Sequence, residues 1–149
     1  WCCLVGSEMC IRDRDKSTKI PYYSSSFERA LDDLDFPITK PPWGTITSIN
    51  LNNGKIIWQI PFGEYEYLAE KGVEATGTEN FGGVTGTEGG ILIATGTLDK
   101  KLYVYNSLDG SELYSYELPY IGSAPPTTYM ANDKQYIITH ATGGRTLMH

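Results

Sequence analysis

The pattern of apolar and polar positions after Pro42 is that of short antiparallel strands. Runs of β-branched and aromatic residues recur at short intervals between Gly or Asn turns, and residues 102–105 alternate as Leu-Tyr-Val-Tyr. Such alternation between turn residues predicts an all-β meander. The predicted strands are Thr45–Asn50, Lys55–Phe62, Gly83–Thr87, Ile91–Gly96, Lys101–Asn106, Glu112–Leu118, Thr127–Met130 and Gln135–Ala141.

Two segments outside these strands carry a weaker helical pattern. Residues 15–42 are polar and contain Pro, which predicts a connecting loop with one short helical turn at Phe27–Leu34. The loop Glu64–Thr78 spaces four Glu residues evenly between aromatic and apolar ones. That spacing is typical of a solvated helical turn or lid, and we do not interpret it as an acid/base pair or a metal site.

An internal repeat determines the predicted architecture. Residues 48–58 align without gaps on residues 104–114, and each copy reads strand, Asn-headed turn with Gly, strand, aromatic. The copies lie 56 residues apart, somewhat more than the roughly 40 to 50 of many propeller blades, and the loop at 64–78 accounts for the excess. The expected fold is therefore a fragment of a β-propeller, about two blades of four antiparallel strands each.

Composition supports strands and excludes two classes of partner. The chain has 149 residues with 40% hydrophobic positions, and its 11 Tyr, 16 Gly and 8 Pro favour strands joined by tight turns. Its net charge is -6, without a Lys/Arg cluster. Nucleic acid and anionic membrane surfaces are therefore not expected partners, because both require a concentrated positive patch.

The first residues predict an artificial leader. Leu4–Asp13 match one translated frame of a common transposon-end sequencing adapter, and all three Cys residues lie in residues 1–14. Such segments are excluded from fold reasoning, so the cysteines indicate neither a metal site nor a redox compartment. The predicted organisation is a leader at 1–14, a connecting loop at 15–42 and the C-terminal blades of an incomplete propeller at 43–149.

The repeat resembles the tryptophan-docking motif of pyrroloquinoline-quinone (PQQ)-dependent dehydrogenases, Ala-x-Asp-x-x-Thr-Gly-Lys-x-x-Trp. The first copy matches at Gly54, Lys55 and Trp58. It departs from the motif at three positions, Ser48, Asn50 and Asn53. The second copy keeps Gly110 and has Tyr114 in place of Trp. The resemblance implies that Gly54, Trp58, Gly110 and Tyr114 are structural residues that dock one blade on the next.

Further blocks extend the resemblance to the last blades of the glucose-dehydrogenase-like quinoproteins. These blocks, in chain order, are Lys40–Ile46, Thr76–Gly83, Thr87–Ala94 and Gln135–Ile138. The resemblance implies the C-terminal part of a periplasmic or secreted PQQ-dependent sugar or alcohol dehydrogenase, with calcium as second cofactor and a quinone or cytochrome as electron acceptor. The family's catalytic Asp and calcium ligands come from earlier blades, so we expect no catalytic and no metal-ligating residue here.

The candidate cofactor-binding residues precede the strand predicted to be innermost. They are Asn80, Phe81, Gly82 and Gly83. Asn80 could bond a quinone or carboxylate oxygen, Phe81 could offer an apolar face, and the glycines could let backbone approach the cofactor. The alternative is an ordinary turn with an Asn cap. Trp43 is a weaker candidate, since Pro-Pro-Trp-Gly could equally pack between blades. His140 is more simply a core or surface residue.

Two functions from different classes remain open. The first is the dehydrogenase, in which this segment closes the propeller and forms one wall of the quinone site. The second is a non-catalytic propeller scaffold in outer-membrane protein assembly, because propellers with the same repeat serve that role. In either case the isolated chain should be inactive and should self-associate through exposed sheet faces and edges.

Overall fold

The computed structural model describes residues 30–142. The predicted leader at 1–14 lies outside the described residues, as do residues 15–29 and 143–149. The chain divides into two compact units, Trp1–Ile38 and Thr39–His149. In the first unit, Leu31 and Pro37 form an isolated antiparallel bridge around a turn in which Asp32 accepts from the backbone of Leu34 and Phe36. The helical turn predicted at Phe27–Leu34 is wrong in its described part, because the Asp32 side chain closes a non-helical turn there.

The second unit is built from antiparallel strands. They are β1 (Thr45–Asn50), β2 (Lys55–Pro61), β3 (Asn80–Gly86), β4 (Ile91–Thr97), β5 (Lys101–Asn106), β6 (Glu112–Glu117), β7 (Thr127–Ala131) and β8 (Lys134–Ile138). One helix of four residues, α1 (Glu66–Ala69), lies between β2 and β3. The predictions of antiparallel strands and of a short helical turn in the 64–78 loop are confirmed.

The strands form three sheets with the orders β1-β2, β3-β4-β5-β6 and β7-β8. The central sheet is a complete blade. The hairpin β1-β2 corresponds to its last two strands, because both hairpins carry the same irregularity: the register shifts at Ser48/Ile49 in one and at Val104/Tyr105 in the other. The hairpin β7-β8 follows β6 and corresponds to the first two strands of the next blade. The described chain is therefore a half-blade, a whole blade and a second half-blade.

Apolar side chains pack on both faces of the central sheet. On one face Ala94, Tyr103 and Tyr105 join Ile46 and Phe62 in a buried cluster, against which Trp58, Ile60 and Leu92 pack. On the other face the buried cluster is Ile93, Leu102 and Leu118, with Val104 and Ala141 against it. The first cluster joins the central blade to the β1-β2 half-blade, and the second is contacted by Ala141, which follows β8. Burial on both faces stabilises the unit.

Hydrogen bonds to backbone carbonyls attach the segment just before β7 to the central blade. Thr95 donates its hydroxyl to the carbonyl of Ala124 at 3.0 Å, and Thr85 donates to the carbonyl of Pro126. The Thr95 side chain is fully buried, so its hydroxyl requires such a partner. These bonds place the second half-blade beside β3 and β4, the first two strands of the complete blade.

Candidate functional site

The contact between the first half-blade and the central blade is made by the repeat itself. The indole Nε1 of Trp58 donates to the carbonyl of Ser107 at 3.1 Å. Gly110, in the same turn as Ser107, has φ +74°, and a Cβ placed there would lie 2.8 Å from Cε3 of Trp58. The ring thus lies directly on the turn of the neighbouring blade. This arrangement gives Trp58 and Gly110 a packing role between the two blades.

The repeat counterparts of these two residues have no such contact within the described residues. Gly54 corresponds to Gly110 and has φ +68°, but a Cβ placed there would meet nothing within 4 Å. Tyr114 corresponds to Trp58, and 58% of its surface is exposed. The docking roles predicted for Gly54 and Tyr114 therefore stay predictions.

At the candidate cofactor residues the strand begins earlier than predicted. β3 starts at Asn80, three residues before the expected Gly83, and its register with β4 shifts between Asn80 and Gly83. The Oδ1 atom of Asn80 accepts from the backbone N–H of Gly82 at 2.6 Å. This local bond uses one of the two lone pairs of Oδ1, and the amide nitrogen is the group that can donate to a ligand.

The glycines of this segment are explained by contacts inside the protein. A Cβ on Gly82 would lie 2.1 Å from the carbonyl oxygen of Thr95, and one on Gly83 would lie 2.8 Å from the Pro125 ring. Across the sheet, Gly96 has φ +108°, and its Cβ would lie 2.0 Å from the backbone nitrogen of Gly82. Two backbones therefore touch where only glycine fits. Close approach of a cofactor to Gly82 and Gly83 stays a prediction beside this packing role.

Two side chains of the segment are exposed. Asn80 is exposed, and 36% of the Phe81 surface is accessible. They lie at the beginning of β3, which pairs only with β4 among the described residues. In a propeller the first strand of each blade lines the central channel. An amide donor next to an exposed aromatic face suits a planar ligand that carries carbonyl or carboxylate oxygens.

Trp43 is held by the loop between β2 and β3. Its Nε1 donates to the carbonyl of Thr39 at 2.7 Å, and its ring meets Tyr65 edge to face with centroids 5.5 Å apart. The contacts described for Trp43 are made with this loop and with Thr39, which lies before β1. His140, the other side chain considered from the sequence, is exposed.

The sequence reasoning missed Asp99, which connects three parts of the second unit. Its Oδ2 accepts from the Glu64 backbone at 2.9 Å and from the Tyr103 hydroxyl at 2.5 Å. Its Oδ1 accepts from the Thr97 hydroxyl at 2.5 Å and from the Lys101 backbone at 3.2 Å. The pattern Thr-x-Asp-x-Lys between β4 and β5 could have indicated this role of Asp99, because Asp commonly caps tight turns.

The pKa values of two neighbouring tyrosines are raised. Burial raises the pKa of Tyr103 well above its ordinary value of 10.0, and the hydrogen bond and negative charge of Asp99 raise it further. Burial also raises the pKa of Tyr105, with smaller contributions from the charges of Glu112 and Asp99. Both hydroxyls therefore stay protonated in the folded chain at pH values where tyrosines of the unfolded chain ionise.

We expect the free energy of unfolding to fall as the pH rises above about 10, the ordinary pKa of tyrosine. Above that pH the unfolded chain releases protons that folded Tyr103 and Tyr105 retain, so ionisation favours unfolding. In Tyr103→Phe the fall should be less steep. Urea unfolding of Tyr103→Phe and the wild type between pH 8 and pH 11 measures this slope. Equal steepness in Tyr103→Phe and wild type would contradict the raised pKa.

No set of three or more His, Cys, Asp or Glu that could hold a metal ion is found among residues 30–142. Helices of the described part are also too short and too polar to span a membrane.

Comparison with known proteins places this geometry in a family. Residues 7–137 match the model of the glucose/ethanol/alcohol dehydrogenase β-propeller domain of PQQ enzymes. The quinate/shikimate dehydrogenase (quinone) of Acinetobacter baylyi is 32% identical over 130 residues, which cover 83% of this chain and 16% of that protein. The quinoprotein glucose dehydrogenase of Gluconobacter oxydans is 32% identical over 117 residues, covering 74% of this chain and 14% of that protein.

A solved structure shares the fold. A quinohemoprotein alcohol dehydrogenase from Pseudomonas putida HK5 superimposes with a TM-score of 0.52 at 18% identity, over 65% of this chain and 12% of that chain. The present chain spans about a sixth of the length of the relatives it matches. The predicted fold class is confirmed, and the chain belongs to the family of PQQ-dependent dehydrogenases, as part of their β-propeller domain.

Proposed function

We propose that this chain is the C-terminal part of a PQQ-dependent sugar or alcohol dehydrogenase, in which it closes the propeller and forms one wall of the quinone site. The observation that carries the proposal is that the Asn80 amide and the Phe81 ring are both exposed at the start of the first strand of the complete blade. The family match and the dehydrogenase relatives support the same class of reaction.

The residues of this wall suit PQQ, a planar ring system with carbonyl and carboxylate oxygens. The Asn80 side chain is held by the Gly82 N–H on its Oδ1, so its Nδ2 points away from that bond and can donate to a cofactor oxygen. Phe81 offers an apolar surface against the edge or face of the ring system. The backbone contact between Gly82 and Gly96 keeps the start of β3 fixed, which holds both side chains in place.

When bound, PQQ supplies the electron acceptor for oxidation of an alcohol carbon to the carbonyl level. This chain's residues bind and orient it and exclude water from one side. The base that removes the hydroxyl proton and the calcium ligands belong, in this proposal, to other blades. The proposal also includes a quinone or cytochrome that accepts the electrons and a periplasmic or secreted location. These two parts rest on the family resemblance alone.

Removal of the Asn80 amide tests the binding role. In a full-length protein that contains this segment, Asn80→Ala should weaken PQQ binding by about tenfold, the effect of losing one hydrogen bond to a charged or carbonyl oxygen. Fluorescence titration of the apoprotein with PQQ gives the dissociation constant. The matched control is Asn53→Ala, since Asn53 makes the same kind of side-chain bond to a turn N–H, that of Lys55, between β1 and β2. Equal affinities of the two variants would contradict the assigned wall.

A substrate panel tests the reaction class and separates the two functions left open by the sequence. The full-length protein, loaded with PQQ and calcium, should reduce an artificial dye with at least one member of a panel of sugars, polyols, primary alcohols and quinate. Absence of dye reduction across the panel, with PQQ bound, would contradict the dehydrogenase. Absence of PQQ binding as well would favour the scaffold.

A further inference from the structure

A cavity of about 240 Å³ lies between the first half-blade and the central blade. It is lined by the end of β2 with the loop that follows it, by β5 and by the start of β6. In the complete blade β6 is the fourth strand, and β2 holds the same place in the first half-blade. Since the first strand of each blade lines the central channel, a cavity at the fourth strands lies toward the outer rim of the propeller.

The walls of this cavity are fixed by packing between the two blades. Tyr103 and Tyr105 stack with ring centroids 5.7 Å apart, and Phe62 meets both rings edge to face. Gly63 is in close contact with Thr97, because a Cβ on it would lie 2.6 Å from Cγ2 of that residue. The unpaired edge of β1 contributes no residue to the lining described. The cavity is therefore a preformed feature of a blade-to-blade contact and not of a strand edge.

The two stacked tyrosines differ in the bonds of their hydroxyls. Tyr103 donates to Asp99 at 2.5 Å. The Tyr105 hydroxyl has no hydrogen-bond partner among residues 30–142, although only 4% of the residue is exposed. A buried hydroxyl without a partner costs free energy, so such groups are normally bonded. Because Tyr105 lines the cavity, its hydroxyl can bond a molecule that occupies it.

The charge around this hydroxyl is negative. Glu64 and Glu112 belong to the lining, which has no basic side chain among the described residues. Neither carboxylate makes an ion pair within residues 30–142. Burial raises the pKa of Tyr105 most, and the charge of Glu112 is the next largest cause, which places this carboxylate near the hydroxyl. Apolar surface comes from Pro61 and Ala75.

This combination of groups favours a ligand that only donates hydrogen bonds. An ammonium group has three N–H donors and no acceptor, so it can bond a phenol oxygen and a carboxylate at once. Bonds between such a cation and a carboxylate are roughly twice as strong as neutral ones. A carboxylate or phosphate ligand would be repelled by both glutamates. The apolar part of the lining suits a short alkyl chain attached to the ammonium.

We propose that this cavity binds an alkylammonium group, with the Tyr105 oxygen and the Glu112 carboxylate as acceptors and the alkyl chain against Pro61 and Ala75. Glu64 adds negative charge from the loop that follows β2. A free amine and a Lys side chain present the same cation, so both are sources of this chemistry. The inference does not rest on the proposed enzymatic function, because none of these residues belongs to the Asn80 segment.

Saturation-transfer NMR of the 149-residue chain with n-butylammonium tests the site at low ionic strength, where salt screens the glutamates least. The ion should bind saturably with a dissociation constant of about 1 mM, a reasonable affinity for so small a ligand. Butan-1-ol, the uncharged molecule of the same size, should bind at least about tenfold more weakly. Equal binding of the two molecules, or no saturable binding of butylammonium, would overturn the proposal.

Substitutions in the lining locate the ligand. Glu112→Gln should weaken butylammonium binding by about tenfold and Tyr105→Phe by about fivefold. Glu88→Gln is the matched control, since it removes the same charge from an exposed turn outside the lining, and it should bind as the wild type does. Equal weakening by Glu88→Gln and Glu112→Gln would show a general charge effect and overturn the local contact.

A second ligand distinguishes the two sources of the cation. Nα-acetyl-lysine methylamide carries the same butylammonium group on a peptide backbone. If it binds as tightly as butylammonium, the site fits a Lys side chain. If only butylammonium binds, the site fits a free amine. Both results require the charged group and support the proposal.

Urea unfolding without ligand tests the unbonded hydroxyl. Tyr103→Phe loses the bond to Asp99 and should unfold at a lower urea concentration than the wild type. Tyr105→Phe loses no such bond and should unfold at the wild-type concentration or above it. Circular dichroism establishes that both variants are folded before urea is added. Equal losses in the two variants would show that the Tyr105 hydroxyl is already bonded, and would overturn the proposal.

Discussion

Gly96→Ala is expected to abolish stable folding of the second unit. A Cβ at position 96 would lie 2.0 Å from the backbone nitrogen of Gly82 and 2.5 Å from Oδ1 of Asn80. The φ of +108° is also strained for any residue with a Cβ. Backbone atoms cannot move aside as a flexible side chain can, so β3 and β4 must separate. We expect a loss of more than about 4 kcal/mol in the free energy of unfolding.

A glycine of the same sheet provides the control for this substitution. A Cβ on Gly86, at the other end of β3, would approach only the Leu92 side chain, at an ordinary 3.6 Å. Gly86→Ala should therefore change stability by less than about 1 kcal/mol. Urea unfolding followed by circular dichroism compares the two variants. A Gly96→Ala chain that unfolds at the wild-type urea concentration would contradict the backbone contact.

The second large effect is expected at Gly110, in the turn on which the Trp58 ring lies. Gly110→Ala should destabilise the chain by about 3 kcal/mol, from left-handed backbone strain and from the collision of the new Cβ with Trp58. Gly54→Ala carries the same strain at φ +68° but meets nothing within 4 Å. It should lose only about 1 kcal/mol. The difference between two such closely matched glycines isolates the contact between blades.

Both glycine variants and the wild type are to be compared at one protein concentration, because association through exposed sheet edges would mix folding with assembly. Equal losses for Gly110→Ala and Gly54→Ala would show that the contact with Trp58 contributes nothing to stability.

The strand order and the repeat could be predicted from the sequence because both depend on local patterns. Alternation of apolar residues such as Leu102 and Val104 with other residues, bounded by Asn or Gly turns, predicts a strand. The repeat at 48–58 and 104–114 predicts two matching hairpins, and the same register shift recurs in both. The resemblance of the sequence blocks then led to the family that the comparisons identify.

The parts that could not be predicted depend on residues far apart in the chain. The contact between Gly82 and Gly96 exists only when β3 and β4 are paired in this register. The sequence alone therefore does not indicate why glycine is required at either position. The role of Asp99 depends on Glu64, which arrives from a loop 35 residues earlier. At Asn80 the bond from the Gly82 N–H to Oδ1 could not be predicted from the sequence, whereas the donor role of the amide stays a prediction.

The central claim is that the repeat joins blades by placing the Trp58 ring on the Gly110 turn, and a double-mutant cycle between these two positions tests it most directly. If the collision with the ring causes most of the loss in Gly110→Ala, then in a Trp58→Ala chain the same substitution should lose only about 1 kcal/mol, the strain alone. The coupling would be about 2 kcal/mol, within the range measured for residues in contact. A loss that is the same with and without the Trp58 ring would contradict the account.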